Sequence, residues 1–195
     1  MAVMNITPDS FSDGGSLYRD RADLDLVFAH AERCLSEGAT ILDVGGESTR
    51  PGAKPVSEAE ELARVIPVIE GLASRFDAVI SVDTSTPQVM IAAACAGARL
   101  MNDVRALQRE GAIAAALETG LPVCLMHMQG TPQTMQHRPD YDDAVSEVFQ
   151  WLMDRIDVCL DEGLSADQLL IDPGFGFGKT LEHNIALFQH LDRFV

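Results

Sequence analysis

The sequence predicts an α/β protein of the (β/α)8 (TIM) barrel class, of which about six strand–helix units are present. Short apolar runs alternate with amphipathic helical patterns six times along the chain, which indicates a parallel sheet covered by helices. Each run is bounded by Gly, Pro or polar residues, as expected of a buried strand. A polar residue closes every run, whereas a doubly wound sheet binds ligands only at the strands of its switch point. The barrel is therefore favoured over the doubly wound sheet.

Each predicted strand is a short apolar run followed by a polar side chain. The runs and their closing residues are 2–4 with Asn5, 40–42 with Asp43, 79–82 with Asp83, 99–101 with Asn102 and Asp103, 123–126 with His127, and 169–171 with Asp172. Because the parallel strands of a barrel end on one face, we expect these side chains to gather at one mouth.

Six helices are predicted after these strands. They span 23–37, a segment from Ser57 through Pro67, a segment starting at Thr86 and Pro87, and residues 111–118, 143–162 and 181–194. Ser57 and Glu60 have the spacing of a capping box. Pro87 suits a first helical turn, whereas Pro67 is expected to kink its helix. Glycines follow the helices that end near residues 37, 118 and 162, as expected of helix stops.

Composition narrows the function classes. The 195 residues are 47% hydrophobic, enough for one globular domain, and no run reaches the ~20 apolar residues of a membrane helix. The formal charge of −16 argues against a nucleic-acid partner, so any phosphate site must be built locally. The four cysteines lack metal-ligand spacing and are interpreted as small buried hydrophobes. With no signal peptide at the N-terminus, a cytoplasmic enzyme is the default expectation.

A glycine-rich segment, residues 172–180, nearly matches a phosphate-binding P-loop. The match fails at Pro173, where that motif needs Gly or Ala. The context also disagrees, because only 15 residues follow Thr180, too few for the later strand that supplies a metal-binding Asp. We interpret the glycines as a tight turn with close backbone packing.

A second glycine-rich loop, residues 43–52, follows the second strand and carries Arg50. The planar guanidinium of Arg50 is well suited to gripping a phosphate. The alternative is a surface ion pair of Arg50 with Glu47 or Glu58.

Several motifs in order along the chain resemble those of dihydropteroate synthase. They are residues 5–15 (Asn5 to Gly15), 43–52, 81–84, 102–104, 125–128 and 172–179. The resemblance implies a (β/α)8 barrel that joins (7,8-dihydropterin-6-yl)methyl diphosphate to 4-aminobenzoate in folate biosynthesis and is a sulfonamide target. It implies an SN1-like reaction in which Mg²⁺ assists the departure of pyrophosphate. It also implies a homodimer, although nothing in the sequence identifies an interface.

The resemblance assigns the anion end of the site to two residues. Asn5 matches the family's Mg²⁺ ligand, and a hard cation suits an amide oxygen supplemented by pyrophosphate and water. Arg50 matches its anion-binding arginine. Phe11 and Asp13 lie in a polar loop that could close over the bound amine and the cationic intermediate.

Three strand-end residues match the family's pterin-binding groups. Asp83 and Asp172 are carboxylates that can accept the pair of N–H donors on the pterin's amino-pyrimidine edge, and the amide of Asn102 can read the remaining pattern. Alternatively, Asp83 is a helix cap and Asn102 a turn residue. Capping is less plausible for Asp172, which precedes Pro173.

The remaining substrate candidates flank these groups. Thr49 matches a residue of the substrate pocket, and Pro51 and Phe177 match the 4-aminobenzoate side. Met126, within the motif at 125–128, is a further substrate-binding candidate. His127 has no serine or cysteine partner and is left unassigned, with a structural role at the rim as the alternative.

The chain departs from the family at its ends. A whole barrel takes about 250 residues, and neither the Ser-Arg-Lys nor the Arg-x-His motif of the family's last two strands is present. We therefore expect residues 1–195 to be one pterin-binding barrel domain truncated at both ends, poorly stable and nearly inactive alone. Two alternatives remain: a methyltetrahydrofolate-dependent methyltransferase of the same pterin-binding group, and a non-catalytic pterin-binding fragment.

Overall fold

Six parallel strands form one sheet in the order β1-β2-β3-β4-β5-β6 in the computed structural model, which describes residues 1–7, 23–48, 56–131, 134–135 and 139–195. The strands are β1 (Ala2–Asn5), β2 (Ile41–Gly45), β3 (Val79–Asp83), β4 (Leu100–Asp103), β5 (Val123–Met126) and β6 (Leu169–Asp172). Sequential parallel strands with a helix after each are the arrangement of a (β/α)8 barrel. The predicted fold class is confirmed.

The helices agree closely with the sequence pattern. They are α1 (Leu24–Ser36), α2 (Glu58–Arg75), α3 (Pro87–Ala96), α4 (Ala112–Thr119), α5 (Ala144–Asp161) and α6 (Leu181–Gln189). Two short 3-10 helices are also present: Ala166–Gln168 directly precedes β6, and Leu191–Phe194 follows α6. The predicted helix over 181–194 is thus interrupted, and its last turn has the tighter 3-10 geometry.

Capping explains where several helices begin. The Asp23 carboxylate accepts the Leu26 N–H at 3.3 Å, and the Ser57 hydroxyl accepts the Glu60 N–H at 3.3 Å. Only half of the predicted capping box forms, because the Glu60 carboxylate pairs with Arg64 one turn later. The helix α2 continues through Pro67 to Arg75.

One strand boundary differs from its prediction. β2 runs two residues past Asp43, because Gly45 pairs with both Asn5 of β1 and Asp83 of β3. Asp43 therefore lies within its strand, one layer below the strand end, and its carboxylate is almost fully buried.

The two faces of the sheet differ in character. Alternate strand residues pack against the helices as fully buried apolar side chains, among them Met4, Leu42, Val44, Ile80, Val82, Met101 and Leu125. The intervening residues, on the inner face, include most of the polar strand residues. Side chains alternate across a strand, so this pattern gives the helices an apolar contact and leaves the inner face for polar groups. A second apolar cluster joins α5 and α6.

Candidate active site

A row of five residues crosses the inner face near the strand ends. The strand register places Asn5, Gly45, Asp83, Asn102 and Cys124 side by side on neighbouring strands. One layer below are Asp43 and Ser81, and one layer above are Met126 and Asp172. The sheet therefore brings together, on one face, side chains from residue 5 to residue 172.

Gly45 leaves space between Asn5 and Asp83. An amide oxygen of Asn5 and a carboxylate oxygen of Asp83 lie 3.7 and 3.5 Å from the point that a Cβ atom at Gly45 would occupy. Both oxygens therefore border the same small space over the backbone of β2. A glycine at this position lets a ligand approach that backbone closely.

Asn102 is oriented by Asp43. Its Nδ2 donates to Asp43 Oδ2 at 3.0 Å, which uses one of the two N–H donors, fixes the orientation of the amide and leaves the amide oxygen as an acceptor. Burial raises the pKa of Asp43, and the neighbouring Ser81 and Asn102 side chains oppose that rise only in part. Asn102 thus has a tertiary partner, 59 residues away in the sequence, rather than a local turn contact.

Asp83 is the carboxylic acid of this row. Burial raises its pKa well above the usual range, and the carboxylates of Asp43, Asp103 and further acids add to the rise. Such a group gains most from a ligand that offers N–H donors to its charged form. A strongly perturbed acid at the mouth of a barrel is a functional-site candidate.

Cys124 was interpreted from the sequence as a buried hydrophobe, but it lies in the same row. Burial, followed by the charges of Asp172, Asp43 and Asp83, raises its thiol pKa to about 12. The thiol therefore stays protonated and is a poor nucleophile. The three carboxylates belong to the row of Cys124 and to the layers directly below and above it.

Asp172 is the last residue of β6 and pairs with Met126 of β5. The Met126 side chain is buried. Its Oδ1 accepts the N–H of Gly174 at 2.7 Å. This contact is a local turn and not a helix cap, because the next helix begins at Leu181 with Thr180 as its cap. The second carboxylate oxygen is not used by the turn, so Asp172 can accept from both the loop and a ligand.

The glycine-rich segment 172–180 is not arranged as a P-loop. The Lys179 side chain is 4% exposed, and its ammonium donates to protein groups, including the carbonyls of Gly174 and Phe177 at 2.9 Å. Thr180 caps α6 by accepting the His183 N–H at 3.3 Å. A P-loop lysine faces the phosphates of its ligand, so the structure supports the tight-turn interpretation.

Two further acidic side chains, one in the first turn of α2 and one in the loop after β2, are held by hydroxyl and guanidinium groups. The buried carboxylate of Glu61 accepts from Thr84 at 2.5 Å and from Thr86 at 2.7 Å. Glu47 accepts from Arg105 at 3.0 Å. Sequence reasoning gave Glu61 no role and named Glu47 only as a possible partner of Arg50; the acid-rich first turn of α2 was the available signal for Glu61.

Asp103 follows Asn102 but has a different role. It points to the helix side and accepts the N–H groups of Arg105 at 2.9 Å and Leu107 at 2.7 Å. These bonds fix a loop in which Ala106 and Leu107 have positive φ angles of 49° and 58°. We assign Asp103 to the support of this strained loop.

Five predicted site residues, Phe11, Asp13, Thr49, Arg50 and Pro51, lie outside the described residues. Phe177, partly buried, lies in the loop after β6.

Within the described ranges, no group of three or more His, Cys, Asp or Glu side chains is arranged to hold a metal ion. None of the helices in those ranges is long and apolar enough to cross a membrane.

The fold and the inner-face row define a barrel enzyme that recognises a polar ligand at the C-terminal ends of its strands. The family of pterin-binding enzymes matches residues 1–195, so the chain belongs to this family. The dihydropteroate synthase of Escherichia coli K12 is 54% identical over 194 residues, which are 100% of this chain and 67% of that protein. The resemblance to dihydropteroate synthase is therefore confirmed, and the chain is related to enzymes along its whole length.

Solved structures agree with the family. The Yersinia pestis dihydropteroate synthase, determined with a sulfonamide drug complex, has a TM-score of 0.93 and 55% identity, over 97% of this chain and 68% of that one. The Xanthomonas albilineans enzyme in complex with 7,8-dihydropteroate has a TM-score of 0.83 and 44% identity, over 99% of this chain and 66% of that one. The chain therefore spans about two thirds of the length of these relatives.

Proposed function

We propose that this chain provides most of the active site of a dihydropteroate synthase. The enzyme joins (7,8-dihydropterin-6-yl)methyl diphosphate to 4-aminobenzoate and releases diphosphate, in folate biosynthesis. The proposal rests on one observation: Asp83 and Asn102 of the inner-face row and Asp172 of the layer above it present acceptor groups on the same face of the sheet. The pterin's amino-pyrimidine edge offers paired N–H donors, which carboxylates bind with good geometry.

The charge of this wall suits the reaction. A dihydropterin that loses diphosphate develops positive charge on its methylene and ring. Asp43, Asp83 and Asp172 lie on successive layers of the inner face. Oriented acceptor groups that are fixed before the reaction stabilise a cationic transition state, and positive charge on the ring would favour the ionised form of these acids, so this wall lowers the barrier without covalent participation.

Asn5 has the chemistry of a Mg²⁺ ligand at the diphosphate end. Its amide oxygen borders the space over Gly45, opposite Asp83. One protein oxygen is enough for Mg²⁺ when substrate phosphates and waters complete the shell. Bound there, the ion would neutralise the charge of the departing diphosphate. Asn5 and Asp83 would then hold the two ends of the substrate on opposite sides of Gly45.

The remaining assignments follow the family resemblance. Arg50 would bind the diphosphate and Thr49 would contact the substrate. Phe11 and Asp13 would close over the reacting groups. Pro51 and Phe177 would border the 4-aminobenzoate, and Met126 would be a further substrate contact. We also propose that the enzyme acts in the cytoplasm as a homodimer.

The direct test uses the complete gene product, purified and incubated with the pterin diphosphate, 4-aminobenzoate and Mg²⁺. Formation of dihydropteroate and diphosphate in equal amounts supports the proposal. Demethylation of methyltetrahydrofolate in its place would support the methyltransferase alternative. Pterin binding without turnover of either substrate pair would support a non-catalytic pterin-binding protein.

A further inference from the structure

Lys179 lies at the end of the loop between β6 and α6 and is surrounded by acceptors. Its ammonium donates to the carbonyls of Gly174 and Phe177, both at 2.9 Å, to the carbonyl of His127 at 3.3 Å and to Nδ1 of His127 at 3.0 Å. An ammonium has three N–H donors, so four acceptors saturate it and leave none for a ligand.

The two loop carbonyls bound by Lys179 come from the ends of one turn. The Phe177 N–H donates to the Gly174 carbonyl at 3.1 Å, which closes the turn from 174 to 177. Lys179 therefore fixes both ends of the turn that carries Phe177. The same ammonium also binds the carbonyl and the ring of His127, the residue that directly follows β5. One side chain thus joins the loop to a neighbouring strand end.

Backbone packing presses this loop onto the end of β5. A Cβ atom at Gly174 would lie 2.0 Å from the His127 carbonyl oxygen, and one at Gly178 would lie 2.8 Å from the Gln129 carbonyl oxygen. Both glycines have positive φ angles, 69° and 61°. Only glycine permits this contact and this backbone conformation. The carbonyls reach the ammonium because the loop approaches β5 so closely.

The ring of His127 is itself fixed. It makes an edge contact with Trp151 of α5, with the ring centroids 5.0 Å apart. Burial, aided by the charge of Lys179, lowers its pKa to about 3, so the ring is neutral at neutral pH and its Nδ1 accepts from the ammonium. Burial also lowers the pKa of Lys179 to about 7, while Asp172 opposes this change.

We propose that Lys179, seated on His127, is a positioning residue that holds Phe177 in the geometry needed to bind 4-aminobenzoate. The proposal rests on the proposed function, which places Phe177 beside that substrate. Asp172 shares Gly174 with the Lys179 contacts, but it is also held by the β6 ladder, which does not depend on Lys179. Loss of the Lys179 contacts should therefore disturb 4-aminobenzoate binding more than pterin binding.

The test compares Lys179→Met with the unaltered complete protein. Methionine keeps the length and apolar stem of the side chain but removes all donors. We expect the KM for 4-aminobenzoate to rise at least tenfold, while the Kd for the pterin diphosphate, measured by calorimetry, changes less than threefold. Lys179→Arg, which keeps the charge and donors, should restore part of the loss in KM. A KM for 4-aminobenzoate within twofold of the unaltered value would overturn the proposal.

A matched control comes from another cation that holds loop carbonyls. Arg155 donates to the carbonyls of Ala106 and Leu107 in the loop after β4, the latter at 2.6 Å. Arg155→Met should lower stability without changing either the KM or the Kd.

If Lys179→Met does not fold, His127→Phe tests the same contact between Lys179 and His127 and should raise the KM for 4-aminobenzoate at least threefold. An unchanged KM in that variant also overturns the proposal, whereas an inactive unaltered protein counts against the proposed function alone.

Discussion

Asn102 on β4 donates a side-chain N–H to the buried carboxylate of Asp43 on β2 at 3.0 Å, across the intervening strand β3. This contact fixes which end of the Asn102 amide faces a ligand. Asp43 lies one layer below the strand ends, so it affects ligand binding indirectly, by orienting Asn102. The finding separates two acids that look equivalent in the sequence, since Asp83 borders the ligand space directly.

The first prediction concerns this contact. Asp43→Ala should lower pterin affinity about fivefold, because Asn102 loses the partner that orients its amide; one oriented hydrogen bond contributes about 1 kcal/mol. Calorimetric titration with the pterin diphosphate measures the effect. Ser81→Ala, a neighbouring change on the same layer, is the control and should leave the affinity within threefold. Unchanged affinity in Asp43→Ala would argue against the orienting role.

The second prediction concerns the stability cost of Asp83. The pKa of Asp83 is higher in the folded protein than in the unfolded chain. Between these two pKa values the folded protein binds more protons than the unfolded chain, so the free energy of unfolding falls as the pH rises. Asp83→Asn should therefore raise the free energy of unfolding at neutral pH, by roughly 1 kcal/mol, and weaken pterin binding. Urea unfolding at pH 5 and pH 8 measures this, with the gain larger at pH 8. A loss of stability at pH 8 would contradict it.

The third prediction concerns Asp172. Asp172→Asn should abolish detectable pterin binding, because an amide places a donor where a carboxylate offers a second acceptor. The turn is expected to survive, since the amide oxygen can still accept the Gly174 N–H. Thermal unfolding close to that of the unaltered protein would show that the loss is local. Normal pterin affinity in this variant would refute the assignment of Asp172.

The fourth prediction concerns Asn5 and Mg²⁺. Asn5→Ala should weaken the Mg²⁺-dependent binding of the pterin diphosphate about tenfold or more, since it removes the one protein oxygen assigned to the ion. Binding of the free pterin, which lacks diphosphate, should not change. Titrations of both ligands, with and without Mg²⁺, measure the difference. Equal losses for the two ligands would count against a metal role.

The sequence predicted the strands and helices well because their signals are local. Apolar runs such as 79–82, the Ser57 cap and the Pro87 first turn all depend on neighbouring residues, and each is present in the structure. The boundary of β2 was wrong because pairing of Gly45 with Asn5 and Asp83 extends that strand. No local pattern contains this information.

The candidate site was only partly predictable. Asn5, Asp83, Asn102 and Asp172 were all noticed as polar residues at strand ends, and the structure places them on one face. Cys124 and Glu61 were missed, since neither a lone cysteine nor an acid in a helix's first turn stands out in a sequence. Their surroundings come from other strands and loops.

The sequence by itself determined the order of strands and helices and the chemical type of each strand-end residue. Only the tertiary structure decided which residues are partners. Asn102 faces the ligand wall while Asp103 supports a loop, because side chains alternate across a strand. Lys179 is buried against His127 rather than free to bind phosphate, because the glycines at 174 and 178 let two loops touch. Both outcomes depend on contacts between residues distant in the sequence, and these form only when the sheet assembles.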